Sequence, residues 1–468
     1  MPAFAGMTIR CEVKDPTKSQ YPSRLAVVGW VLFEWATQPY FTLVITFVYA
    51  PFFAAAVAPD PARGQALWGF ATSGAGLAIA ALAPLLGSVA DAAGRRKPWI
   101  MAFGVLIVIG ATLLWFGRPG HPETIPIVLF AFALGAVGVQ GATVFSNAMM
   151  PTLVPPERLG RLSGIGWATG YMGGLLSLIL TLGFLAASPQ TGKTLLGFAP
   201  LFGLDPLAHE GDRIVGPLSA IWLVVFALPL LLFTPDQPRR MPVRAAVRQG
   251  IATLFETLGH LPRYRDASLF LLANMIYADG LVALFAFGGI YAAGTFGWTV
   301  IEIGIFGILL ITAGIFGALA GGWLDDRLRS KPVIIAGLMI LIAAVIVILS
   351  IDRDRVLFVI AVDPPAEGRA LFGSVPERLY VGIGLFIGLV VAPLQAASRT
   401  LLVRIAPRER LTQFFGLYAL SARVTSFIGP FAVAIVTAVT ASQKAGMAVL
   451  ILFFAVGAFL LSQVRISS

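Results

Sequence analysis

The stretch GSVADAAGRRKP (87–98) returns as GGWLDDRLRSKP (321–332), displaced by 234 positions, half of the 468-residue chain. Gly87, Asp91, Arg95, Lys97 and Pro98 find their counterparts in Gly321, Asp325, Arg329, Lys331 and Pro332. A second pair, PPERLGRLSG (155–164) and PRERLTQFFG (407–416), repeats at an offset of 252, and Ser146 and Ser398 keep that same offset. The additional residues between the pairs fit a longer loop at 352–377. Basic loops alone would account for recurring Lys and Arg, but not for matched Asp and Gly in the same order. The chain therefore reads as a duplication with its midpoint near 235–266.

What surrounds these loops is apolar. Hydrophobic residues make up 58% of the chain and charged residues 12%, about half the share of an ordinary soluble protein. A bilayer core of about 30 Å needs roughly 20 apolar residues as a helix. Twelve stretches meet that requirement, near 25–57, 66–90, 98–116, 125–150, 161–187, 214–234, 267–293, 300–323, 332–351, 379–403, 411–438 and 445–464. None alternates polar with apolar, as an outer-membrane strand would. The fold class expected is an all-α polytopic membrane protein: twelve transmembrane helices in two pseudo-symmetric six-helix bundles. The boundaries are a tail at 1–24, a first bundle at 25–234, a connecting segment at 235–266 and a second bundle at 267–468.

The net charge of +10 reads as topogenic, since Lys and Arg collect in cytoplasmic loops. With the N-terminus inside, the inner segments hold 22 of these residues and the outer loops 9, with Arg399 and Arg423 left within helices. Both termini are thus expected in the cytoplasm, with the chain a multi-pass protein of the cell's inner membrane. No cationic start followed by an apolar core and cleavage site opens the chain, so no removable signal is expected. Within 235–266, Val243, Val247, Ile251, Leu254, Phe255 and Leu258 fall on one helical face with Arg244 and Arg248 opposite. That pattern predicts an amphipathic helix at the inner membrane surface.

The single cysteine, Cys11, cannot form an internal disulfide, and His121, His209 and His260 all fall in loops. No metal site, cofactor or phosphate-cradling Gly loop is expected, and neither an enzyme nor a nucleic-acid-binding protein is read. Ionised groups inside the membrane cost about 2.5–3.5 kcal/mol each on insertion scales. Glu34 in the first helix, Asp279 in the seventh, Arg399 in the tenth and Arg423 in the eleventh are therefore expected to pair across the bundle and to mark a substrate and coupling-ion site. Asn147 and Gln140 on the fourth helix, Trp35 and Gln38 on the first, Tyr171 on the fifth, Asn274 and Tyr277 on the seventh and Gln395 on the tenth are candidates for the same pocket.

Two bundles with this duplicated loop resemble the major facilitator superfamily, whose signature runs G-x-x-x-D-R-x-G-R-[RK]-[RK]. The first copy carries Ala92 where that signature has Arg. The second has Asp326-Arg327, shifted by one, and Leu328 in place of the second Gly. Longer blocks, GWVLFEWATQPYF (29–41), MPTLVPPERLGRLSGIGWATGYMGG (150–174), IYADGLVALFAFGGIYA (276–292) and PLQAASRTLLVRIAPRERLTQFFGLYALS (393–421), are similar to the vacuolar amino-acid effluxer-like family of autophagy and its bacterial relatives, with Glu34 where that family has Asp. The resemblance implies a central cavity lined by the first, fourth, seventh and tenth helices. It also implies gating locks at Asp91 with Arg95 and at Asp325 with Arg329. The function expected is secondary-active transport of a small polar metabolite, an amino acid or small organic acid, by alternating access with H+ as the coupling ion and the chain acting as a monomer in the bilayer. A lipid-like or sugar cargo, or a non-transporting sensor on the same fold, is the alternative.

Overall fold

The computed structural model describes residues 21–59, 61–189, 191–259, 264–296, 298, 300–362, 371–421, 425–426, 428–440 and 442–465. The first half comprises α1 (Arg24–Pro39, continued by π-wound Tyr40–Phe47), α2 (Pro61–Ala93), α3 (Lys97–Leu113), α4 (Ile125–Met149), α5 (Leu159–Leu180) and α6 (Val215–Phe233). The connecting segment forms α7 (Val243–Gly259). The second half comprises α8 (Arg265–Phe296), α9 (Val300–Leu328), α10 (Ser330–Leu349), α11 (Val375–Ile405), α12 (Leu411–Ser421), α13 (Ile428–Thr440) and α14 (Gln443–Ser462). Among the described residues, eleven helices are long and apolar enough to cross a membrane. The remaining expected span, near 411–438, is divided between α12 and α13.

Local chemistry explains several boundaries. Pro39 lacks the N–H that α1 needs there, and the winding loosens to π directly after it. The start of α11 is a capping box: Glu377 N donates to Ser374 Oγ (3.4 Å) and Ser374 N to Glu377 Oε2 (3.0 Å). Gly94, at φ +90°, turns the chain between α2 and α3. In the second copy Leu328 stays helical, and Arg329 takes the positive φ (67°) instead.

Each half has its own core. Trp30, Phe53, Phe132 and Phe145 are buried in the first, and Phe270, Phe296, Phe414 and Phe454 in the second. Outward faces remain apolar, as on α3 (Met101, Val105, Ile109) and α6 (Ile221, Val225, Leu228, Leu232), which is what contact with lipid requires.

The halves meet at the end of the bundle where the described chain begins and finishes. At that end the first and last helices of each half are tied to one another, Thr234 Oγ1 donating to Ala26 O (2.8 Å) in the first and Arg465 N to Asp266 Oδ1 (2.7 Å) in the second. At this terminal end two contacts repeat. Gly416 of α12 sits so close to the Ala83 carbonyl of α2 that a methyl group would collide with it, and Gly164 of α5 has the same relation to the Ala318 carbonyl of α9. Gln413 N donates to Asp91 Oδ2 (2.9 Å), and Arg161 N donates to Asp326 Oδ1 (3.1 Å). Each carboxylate lies in the first turn of a helix from the opposite half, where free N–H groups and the helix dipole favour negative charge.

This geometry corrects the expected locks. Asp91 pairs with Arg96 (3.4 Å), not Arg95, and Arg96 Nε reaches across to Thr412 Oγ1 (3.0 Å). Asp325 faces Arg404 (3.8 Å), not Arg329. In the second copy the cause is a one-residue difference in register; in the first, Arg95 and Arg96 lie in the turn between α2 and α3, and it is Arg96 that the turn directs to Asp91. The spatial counterpart of Asp91 is Asp326, because equivalent contacts on α2 and α9 are 235 residues apart whereas the motif letters align at 234. In one turn of helix, one residue rotates a side chain by about 100°.

The α7 helix docks on α2, with Ala246 buried against Val89 and Ala93 and Gly250 over the Val89 backbone. Its Glu256 reaches Arg410 of the other half (3.1 Å). Val247, Ile251 and Phe255 remain exposed. The side chains of Val243 and Leu258 lie outside the described residues.

The crossed carboxylates lead to a measurable outcome. In a Cys11→Ser background carrying Ala396→Cys at the α5–α11 contact, Asp91→Asn and Asp326→Asn should each speed maleimide labelling from the terminal end by about two- to fivefold, the population change expected from about 0.3–1 kcal/mol at a helix terminus. The double variant should exceed either single one.

Candidate functional site

Just inside that closure, Arg399 of α11 reaches into the first half. Its Nη1 donates to Glu34 Oε1 of α1 and to Asn147 Oδ1 of α4 (2.9 Å). Its Nε and Nη2 donate to Ser163 Oγ (3.0 Å) and to the Ser163 carbonyl (2.8 Å) of α5. The guanidinium carbon lies 5.3 Å from the centre of the Trp30 ring, within cation–π range. Trp30 is itself held by Nε1 donating to Ser146 O (2.8 Å). One side chain from the second half thus holds three helices of the first.

The pair is nearly dry. Arg399 is 4% exposed and the Glu34 side chain 18%. A carboxylate–guanidinium pair in such a place is strongly attractive only because each partner compensates the other's lost hydration. Of the two side chains, Glu34 is the more exposed.

Against this network lies a cavity of about 330 Å³ lined by Gln140, Thr143 and Asn147 of α4, Asn274, Tyr277 and Phe285 of α8, Gln395 and Ser398 of α11, and Phe415 and Tyr418 of α12. Its polar groups are amides and hydroxyls. Ser398 Oγ donates to Leu394 O (2.7 Å) and therefore accepts from Tyr277 OH (2.7 Å). Asn274 Nδ2 donates to Ser421 Oγ (3.1 Å). A second cavity of about 200 Å³ is lined by Gln38, Thr42, Tyr171 and Gly314 and shares Phe285 with the first. A third, about 710 Å³ and mainly apolar, continues away from the terminal end past Phe47, Leu284, Phe306 and Tyr380. The first cavity thus lies beside the Arg399 network, sharing Asn147 with it, and the other two extend away from the terminal end.

Most of the expected pocket residues gather here: Glu34, Arg399 and Asn147 in the network, Gln140, Asn274, Tyr277 and Gln395 around the first cavity, Gln38 and Tyr171 around the second. Two are placed elsewhere. Trp35 stacks on Trp222 of α6 (5.7 Å between ring centres), because α1 turns that face to its own bundle. Asp279 is 2% exposed, makes no ion pair among the described residues, has no hydrogen-bond partner at Oδ1, and lines none of these cavities. The Asp279 backbone carbonyl abuts Gly429 of α13, so its stretch of α8 faces α13. Among the described residues the expected pairing of charges is seen as Glu34–Arg399; Arg423 lies outside them. Sequence reasoning missed Ser163, although it sits in the repeated block at 155–164. A serine four residues before Trp167 gives no charge signal by which to single it out.

Comparison with known proteins decides the family. Residues 70–468 match the family model described as "Vacuole effluxer Atg22 like". The chain belongs to the Atg22-like family. It is 23% identical over 438 residues to YxiO of Bacillus subtilis, described as an uncharacterized MFS-type transporter, with 93% of both chains covered. It is 22% identical over 395 residues to autophagy-related protein 22 of Pichia angusta, covering 75% of this chain and 66% of that one. Among solved structures, the fold is shared with the major facilitator FucP in its outward conformation (TM-score 0.68, 15% identity, 96% of this chain and all of that one) and with the proton:xylose symporter XylE (TM-score 0.65, 14% identity, 94% and 95%). The protein is thus a multi-pass membrane protein of the transporter type, with the twelve-helix major facilitator fold.

A double-mutant cycle measures the network. Glu34→Ala and Arg399→Ala should each lower the unfolding midpoint in detergent, and the double variant should be more stable than the sum of the single losses predicts, with a coupling of about 0.5–3 kcal/mol. Additive losses would mean the two charges do not share one interaction.

Proposed function

We propose that this Atg22-like protein moves a small polar metabolite, an amino acid or a small organic acid, across the cell's inner membrane by alternating access, with both termini in the cytoplasm, and that proton binding at Glu34 drives the exchange. The observation that carries the reading is the Glu34–Arg399 pair, which joins the halves and shares Asn147 with an amide-lined cavity. The cavity volume falls within the range of small-molecule sites, about 300–1,000 Å³. The family's description as a vacuole effluxer supports a small metabolite as cargo.

The chemistry is a competition for one cation. While Glu34 is ionised, it occupies Arg399 and fastens α11 to α1. A proton on Glu34 removes the negative charge, and the guanidinium then takes the carboxylate of the cargo in its place. Breaking such a pair without a replacement costs about 3–5 kcal/mol, a factor of roughly 150 to 5,000 in population. Either the Glu34 anion or the cargo anion must therefore be present, which couples proton and cargo and suppresses leak. Asn147 and Ser163 hold Arg399 in position through the exchange.

Proteoliposomes offered a panel of labelled amino acids and organic acids provide the test. The wild type should accumulate one class when a pH gradient is imposed. Glu34→Gln should retain counterflow and lose at least about tenfold of the gradient-driven accumulation, a change equivalent to about 1.4 kcal/mol. Full gradient-driven accumulation by Glu34→Gln would remove the proton from that site, and loss in Asp279→Asn alone would move it to α8. A second reading, a neutral polyol or sugar, is favoured by the uncharged lining of the 330 Å³ cavity. Uptake of a sugar in place of any carboxylate would establish it.

A further inference from the structure

A cavity of about 260 Å³ lies outside the transport route, at the terminal end of the bundle. It is lined by Val89 and Ala93 of α2, Arg95, Pro98 and Trp99 around the start of α3, and Arg239 and Met241 of the connecting segment. Its walls are apolar apart from two guanidiniums. Neither guanidinium has an ion pair among the described residues: Arg95 enters none, and Arg239 Nε donates only to the Met241 carbonyl (3.3 Å). The nearby carboxylates are engaged elsewhere. Asp236 accepts from the backbone N–H groups of Arg96 (2.9 Å) and Lys97 (3.2 Å), and Asp91 is held by Arg96 and Gln413. Because Arg96 and not Arg95 pairs with Asp91, Arg95 stays exposed.

The cavity is continuous with the lipid-facing surface. Pro98 is exposed and is followed on the same face of α3 by exposed Met101, Val105 and Ile109, a stripe about 16 Å long at 1.5 Å per residue. On the other side, α7 presents exposed Val247, Ile251 and Phe255 with Arg244 and Arg248 beside them. Two cations at the mouth of an apolar slot, at the level where helices leave the bilayer, complement a molecule with an anionic head and a hydrocarbon tail. A soluble anion would use the guanidiniums but not the apolar walls or the stripe.

We propose that this cavity binds an anionic phospholipid, its phosphate between Arg95 and Arg239 and an acyl chain along Met101, Val105 and Ile109. The bound lipid ties the connecting segment to the α2–α3 turn. That segment already donates Arg240 N to Ala93 O (2.9 Å) and Arg240 Nη1 to Asp91 O (3.4 Å). The lipid therefore favours the arrangement in which Asp91 is docked on α12. The proposal does not depend on what the protein carries.

The experiment compares the full chain in phosphatidylcholine nanodiscs with and without phosphatidylglycerol, reading the unfolding midpoint and, by native mass spectrometry, the retained lipid. Phosphatidylglycerol should raise the midpoint and remain bound. Arg95→Gln with Arg239→Gln should weaken retention by about tenfold or more while keeping the wild-type midpoint in phosphatidylcholine alone. If that variant does not fold, Arg95→Lys with Arg239→Lys, which keeps both charges, should fold and retain the lipid. An unchanged phosphatidylglycerol response in the Gln variant, or an equal response to phosphatidylcholine in the wild type, would overturn the proposal. Full stabilisation by glycerol phosphate alone would show a soluble-anion site and overturn it as well.

Discussion

A carboxylate from one half resting on the first turn of a helix from the other half is the interaction on which the remaining arrangement depends. It occurs twice, as Asp91 on α12 and Asp326 on α5. Each brings a helix end of one bundle against the other bundle, and glycines at 164 and 416 let the backbones approach closely enough for the bonds to form. With the terminal end held in this way, the space between the halves is left on the opposite side. Interactions of about 0.3–1 kcal/mol each can hold such a closure and still release it. A transporter whose halves must part needs bonds of that size rather than a continuous apolar interface.

Deeper in, the balance of forces changes. Arg399 and Glu34 lie where water is scarce, and an unpaired charge there is far more costly than at the helix ends. Four of the five guanidinium N–H groups are engaged, by Glu34, Asn147 and Ser163, so Arg399 cannot accept a new anion without giving one up. The weak locks set which end is closed. In the proposed exchange, the strong pair sets what must be present for the closure to open. The cavity beside them is lined by neutral polar groups, which can orient a cargo without competing for its charge.

The connecting segment is more than a tether. It leaves α6, bonds the α2–α3 turn through Asp236 and Arg240, packs Ala246 and Gly250 on α2, and reaches the second half through Glu256 and Arg410. Its basic residues and exposed apolar side chains face the level at which the helices emerge from the bilayer. With a lipid bound as proposed, the membrane surface and the closure of the bundle would meet at the same twenty or so residues, giving charge in the lipid a physical path to the Asp91 lock.

Much was legible in the sequence because the bilayer is a strict solvent. Long apolar runs, a shortage of charge and a repeated loop leave few folds that satisfy every backbone group, and the rarity of ions in those runs picked out Glu34 and Arg399 before any coordinates. The partners were not legible. Whether Asp325 or Asp326 crosses the interface and whether Asp279 faces the cavity or α13 turn on single-residue rotations of about 100° around a helix, and whether Asp91 meets Arg95 or Arg96 turns on the path of the turn between α2 and α3. Sequence spacing fixes which residues share a helical face, since that follows from the chain's own period. Which face meets which neighbour is settled only when twelve crossings pack together, because the energy that decides it comes from contacts between residues hundreds of positions apart.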